Sequence, residues 1–171
     1  MWRKWLLLLG LALVLAAVNT TLYQREHLLA HGTVLRLALA PVDPRSLLQG
    51  DYMALRFAVA VEAAAARAAA AGDGGSGLLV LALDARGVGR FRRFHAEGTP
   101  LAVDEHLLRY RVRNGQLRLG TDAFFFEEGQ GGAYAAARFG EFRLAADGTA
   151  LLTTLLDEHL APLGREAAAA R

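Results

Sequence analysis

Gly50-Asp51-Tyr52-Met53-Ala54-Leu55-Arg56-Phe57 is the stretch whose reading decides the fold. A glycine after the proline-bearing approach Pro41 to Gln49 supplies the backbone freedom of a tight turn. From Asp51 onward the sequence alternates. Met53, Leu55, Phe57, Val59 and Val61 fall on one side, and Tyr52, Ala54, Arg56, Ala58, Ala60 and Glu62 on the other. Side chains of a strand point alternately to its two faces, so this pattern predicts a half-buried strand from Asp51 to Glu62. Asp51 opens the buried side, where its carboxylate is expected to tether the preceding loop through backbone N–H groups. Tyr52 and Arg56 share the outer face.

Outward from this strand the same period recurs. Thr33 to Ala40 alternates about Leu35, Leu37 and Leu39, and Leu78 to Leu83 is a continuous apolar run suited to a central strand. Asp84-Ala85-Arg86-Gly87 turns that run back along Val88 to His95. Asn114-Gly115 is a strong signal for a two-residue hairpin. Pairing across it sets Arg113 beside Gln116, Val112 beside Leu117, Arg111 beside Arg118 and Tyr110 beside Leu119. Glu141 to Leu144 and Ala150 to Leu156 form a last hairpin around Asp147-Gly148. After the N-terminal transmembrane helix, and a short polar helix or linker over 24–32, helix is expected in the Ala-rich segment 63–71 and roughly over 133–138. The fold class is therefore mainly β: one compact, mostly antiparallel barrel-like or folded-sheet domain of seven or eight strands with a short helix or two.

The chain has 171 residues, 54% of them apolar, and a net charge of +2, too small to imply nucleic-acid binding by bulk charge. It contains no cysteine, which excludes disulfides, thiolate catalysis and Cys-ligated metals. The first residues combine Arg3 and Lys4 with an uncharged stretch from Trp5 through Gln24. That is the layout of a secretory signal or a signal anchor. Trp2, Trp5 and Tyr23 suit the two interfaces of a membrane. Cleavage after Ala16 or Ala17 would place Val14 or Leu15 where a small residue is wanted, so an uncleaved anchor is expected. Residues 5–23 are read as the membrane segment within an anchor of 1–23, followed by a linker, 24–32, the β domain, 33–163, and a tail, 164–171. The positive start is expected to keep the N-terminus cytoplasmic and to leave the rest of the chain on the outer side of that membrane.

Chemistry-bearing residues are sparse. The exported part has no lysine, and its only serines are Ser46 and Ser76. His27 and His31 lie four apart but lack a third ligand, and the other histidines have no ligand spacing. No metal or cofactor is expected. The acidic pairs Asp104-Glu105, Glu127-Glu128 and Asp157-Glu158 are adjacent, so in extended chain their side chains point apart. Arg109, Arg111, Arg113 and Arg118 form a cationic stripe. Its ordinary reading is a solvated hairpin face, and its functional one is contact with anionic lipid or an acidic partner.

Gly50-Asp51-Tyr52-x-x-Leu55-x-Phe57 resembles the signature of the bacterial GDYxxLxY family. The resemblance extends through Asp43-Pro44-Arg45-Ser46-Leu47-Leu48, Phe125 to Gly129, Tyr134, Ala137 to Arg143 and Gly148 to Leu152. Phe57 stands in place of the final tyrosine, and Glu127 where proline is expected. The segment around Leu48-Gln49-Gly50-Asp51 also loosely resembles type I signal peptidases, without their Ser/Lys dyad. The GDYxxLxY resemblance implies a membrane-anchored protein with no established activity. The resulting expectation is a non-catalytic envelope domain that binds an integral membrane partner through one surface. Its candidate residues are Asp43, Arg45, Asp51, Tyr52, Arg56, Glu128, Tyr134, Arg138 and Glu141. The alternative is an envelope hydrolase or small-ligand binder built on Asp51 and Glu128.

Overall fold

In the computed structural model, residues 2–40, 48–49, 52–69 and 75–164 are described. The chain divides into two units, Met1–Gly32 and Thr33–Arg171. The first is a single helix, α1 (Trp2–His31). Leu8 to His31 is long and apolar enough to cross a membrane, and none of it is buried in the protein. Leucines and valines lie all around this helix, so no polar face argues for packing on a water-soluble core. Asn19, Thr20 and Thr21 do not interrupt it. Their side chains donate to the carbonyls of Leu15, Ala16 and Ala17 at 2.9, 2.7 and 2.9 Å. Polar groups satisfied within the helix in this way are compatible with an apolar surrounding. The helix also continues through the expected linker, where the rings of His27 and His31 stack 4.5 Å apart.

The second unit is mainly β. Its strands are β1 (Thr33–Ala38), β2 (Leu48–Gln49), β3 (Tyr52–Ala54), β4 (Ser76–Leu83), β5 (Gly89–Phe94), β6 (Glu105–Arg113), β7 (Gln116–Leu119), β8 (Ala123–Phe125), β9 (Phe139–Leu144) and β10 (Ala150–Leu156). They form three antiparallel sheets, ordered β1-β9-β10, β2-β3-β8 and β5-β4-β6-β7. Curled into a half-barrel, they share one core that includes Leu35, Leu37, Leu79, Leu81, Leu108 and Phe142. In β4, Leu79, Val80, Leu81 and Ala82 are buried in succession, as a strand covered on both faces requires. The β6–β7 hairpin has the register expected from Asn114-Gly115, residue for residue. Both turn residues have positive φ, 52° and 72°, which suits a turn matched to the twist of its strands.

The expected strand 51–62 is corrected. Only Tyr52 to Ala54 pairs as strand, and the chain stays extended to Phe57, which bridges to Leu39. At Ala58 it enters α2 (Ala58–Ala69), five residues before the expected helix. The alternation was ambiguous because alanine fits either face. Met53, Leu55, Phe57 and Val59 are buried as expected, but Val61 is 45% exposed. Val59 and Ala63, four apart, make the buried stripe that a helix requires. The helical propensity of the eight alanines in α2 outweighs one further step of alternation. The second expected helix is also shorter and earlier, α3 (Gly131–Tyr134).

Two ion pairs link strands within these sheets. Arg36 of β1 donates from Nε to Glu141 Oε2 of β9 at 2.9 Å, and from Nη1 to the carbonyl of Arg86 in the β4–β5 turn. On the outer side of β4, Arg93 donates to both oxygens of Glu105, and Ala102 N donates to Glu105 Oε2 at 3.1 Å. The Arg93 guanidinium and that amide hold the Glu105 carboxyl below the ordinary range. Asp84 is lowered too, chiefly by the backbone N–H of Val88. Each carboxyl therefore binds its proton less readily folded than unfolded. Their contribution to stability is present above the unfolded pKa and is lost as pH falls through the folded one. The thermal midpoint should decline once pH drops below about 4.3, the ordinary glutamate value. Glu105→Gln should flatten that decline, and melting curves across acid pH check it.

Candidate functional site

Residues two apart on a strand share a face, so Arg109, Arg111 and Arg113 project together from β6. The β6–β7 register adds Arg118 opposite Arg111. All four line one cleft of about 660 Å³, together with Leu78, Asp122 and Thr149 among others. The sequence expectation of a stripe thus becomes a concave surface. Like charges directly opposite each other repel. Among the described residues, counter-charges stand at two of the four positions. Arg118 pairs with Asp122. Arg109 donates to Asp147 Oδ2 at 3.2 Å. Asp147 lies in the β9–β10 turn, and its carboxyl is lowered first by the backbone N–H of Thr149 and then by that residue's hydroxyl and by Arg109, against partial burial. Arg111 and Arg113 are exposed and make no ion pair with any described residue. Arg118 Nε is enclosed without a hydrogen-bond acceptor among the described residues.

A second groove of about 480 Å³ shares Arg118 and Asp122 with the first. Its walls include Leu55, Arg56 and Phe57 of the opening motif, with Val61 of α2. Arg56 is therefore placed beside the arginine cleft, not beside Tyr52 on one strand face as alternation implied.

The other expected site residues separate. Asp43, Arg45 and Asp51 lie outside the described residues, and so does any Asp51–Glu128 pairing. Glu128 is exposed in the turn before α3, and Arg138 is exposed just before β9. Glu141 is committed to Arg36. Tyr134, expected to carry contact energy at a surface, is 7% exposed and belongs to the core. The reason lies in Phe124-Phe125-Phe126. Alternation sends Phe124 and Phe126 inward, where Tyr134 packs edge-on to one at 5.1 Å and stacks on the other at 5.3 Å. Phe125 is sent outward, 74% exposed, against Tyr52 across the β3–β8 pair at 5.9 Å. Tyr52 and Tyr134 thus use opposite faces of β8 and share no surface. Phe125 was missed as a site residue, although the period of three consecutive phenylalanines carries the signal.

Among the described residues no group of three or more His, Asp or Glu side chains is arranged to hold a metal ion. The class defined by these features is a half-barrel of antiparallel sheets with one long apolar helix before it, an arginine cleft on one sheet and an aromatic pair on another. The chain belongs to the GDYXXLXY protein family, whose model matches residues 14–155. That match begins inside α1. No curated protein and no solved structure matches the chain.

Proposed function

We propose that this chain is a single-pass, non-catalytic accessory protein of the bacterial inner membrane. Its N-terminus is cytoplasmic, α1 is an uncleaved signal anchor, and the β domain stands in the periplasm. The domain binds an integral membrane protein through the outer face of β3 and β8. One observation carries this reading: Phe125 stands 74% exposed against Tyr52 on the neighbouring strand. A large aromatic side chain outside the core is the residue type that anchors protein interfaces. The apolar helix supports the choice of a membrane-resident partner, because anchoring would confine the domain to the membrane surface where such proteins expose their loops.

Photo-crosslinking residues at position 125 and, as a control, at the fully exposed Val103 test this in native membranes. The expected outcome is one discrete adduct from position 125, identified as a multi-pass membrane protein, absent from position 103 and reduced at least tenfold by Tyr52→Ala. Lipid adducts alone, or adducts indifferent to Tyr52, would sink the proposal.

A further inference from the structure

We propose that the arginine cleft on β6 and β7 is a binding site for a dianionic phosphate group. Four guanidiniums line it, Arg109, Arg111, Arg113 and Arg118, against two carboxylates: Asp122, which lines the cleft, and Asp147, which pairs with Arg109. Four minus two leaves two positive charges unanswered by the described residues. Those two are not spread evenly. Arg109 and Arg118 have their own aspartates, whereas Arg111 and Arg113, two apart on one strand face, have none.

A fold does not gather four guanidiniums on one concave face without cost, since Arg111 directly opposite Arg118 is repulsive. A dianion between them removes that repulsion. Guanidinium is planar and donates in pairs to phosphate oxygens, which a single point charge cannot do. A phosphate monoester carries close to two negative charges at neutral pH and three acceptor oxygens, so it matches both the charge and the donor count left open. A carboxylate would leave one of the two charges unmet. The volume of about 660 Å³ lies within the range of small-ligand sites, enough for a phosphate with a substituent attached. Thr149 adds a wall position with a hydroxyl already held by Asp147.

The phosphate can come from a soluble phosphomonoester or from a lipid headgroup, and the test separates them. The full chain is placed in nanodiscs of phosphatidylcholine and titrated with phenyl phosphate by calorimetry. In parallel, arginine side-chain NMR signals are compared between nanodiscs with and without phosphatidic acid. Saturable phenyl phosphate binding, weakened on the order of 100-fold in Arg111→Gln/Arg113→Gln, establishes the soluble source; two charge-assisted contacts are then lost. No phenyl phosphate binding, with Arg111 and Arg113 signals shifted by phosphatidic acid only, establishes the headgroup. Arg92→Gln, an exposed arginine outside the cleft, should leave either result unchanged. Absence of both responses, responses that persist in the double variant, or equal affinity for acetate overturns the assignment. The arginines tested are exposed, so the variants should melt with the wild-type chain, and the site stands apart from the Tyr52 face.

Discussion

Tyr134→Ala should lower the stability of the domain by about 3–5 kcal/mol, the range for removing a large ring from a core. The ring is 7% exposed and touches Phe124 and Phe126 on two sides. On the third side Gly164 lies so close to its hydroxyl that a Cβ there would overlap it. Truncation therefore opens a cavity between β8, α3 and Gly164, and those neighbours cannot collapse into it without moving backbone. For a chain of this length the thermal midpoint should fall by roughly 10 °C, read by near-UV dichroism of the solubilised protein. Tyr134→Phe keeps both ring contacts and should cost less than about 1.5 kcal/mol. Tyr52→Ala provides the contrast, because Tyr52 is half-buried and its ring meets exposed Phe125. If Tyr134→Ala shifted the midpoint no more than Tyr52→Ala, Tyr134 would belong to a surface and the core assignment would be wrong.

What was legible in the sequence follows from how local its cause is. The β6–β7 register needed only Asn114-Gly115 and the alternation beside it, and every pair fell where the residues placed it. The β4–β5 and β9–β10 hairpins were legible for the same reason. The fate of Ala58 to Glu62 was not, because alanine marks neither a buried nor an exposed face. Helix and strand then differ only in where Val61 points. Tyr134 was misplaced because its neighbours, Phe124 and Phe126, are themselves divided from Phe125 by the pleat. The arginine stripe was visible as a pattern, but its cleft was not. Asp147 reaches Arg109 across 38 positions of sequence, and no periodicity foretells that.

That same contact makes Gly148 a position where one added methyl group should be costly. The β9–β10 turn does not simply reverse the chain. Its carbonyl at Gly148 accepts the amide of Arg109 at 2.8 Å, just where β7 stops pairing with β6. The turn thereby joins the sheet of β1, β9 and β10 to the sheet of β4 to β7, and it brings Asp147 to Arg109. Gly148 has φ of 83°, where an L side chain is strained by about 1–2 kcal/mol. An added Cβ would also lie 2.8 Å from Leu78 Cδ2 and 3.1 Å from the Arg109 nitrogen. The leucine tip can turn aside, but the strand backbone cannot, and such overpacking costs about 1–3 kcal/mol more. Gly148→Ala should therefore destabilise by about 2–5 kcal/mol in all. Gly98→Ala separates the two causes, since Gly98 has nearly the same φ, 80°, with open space around it. It should show the strain alone. Hydrogen exchange at the Arg109 amide supplies the local readout, with protection falling at least tenfold in Gly148→Ala and unchanged in Gly98→Ala. Equal destabilisation by the two substitutions would mean that the turn does not bear on β6, and that the joint between the sheets lies elsewhere.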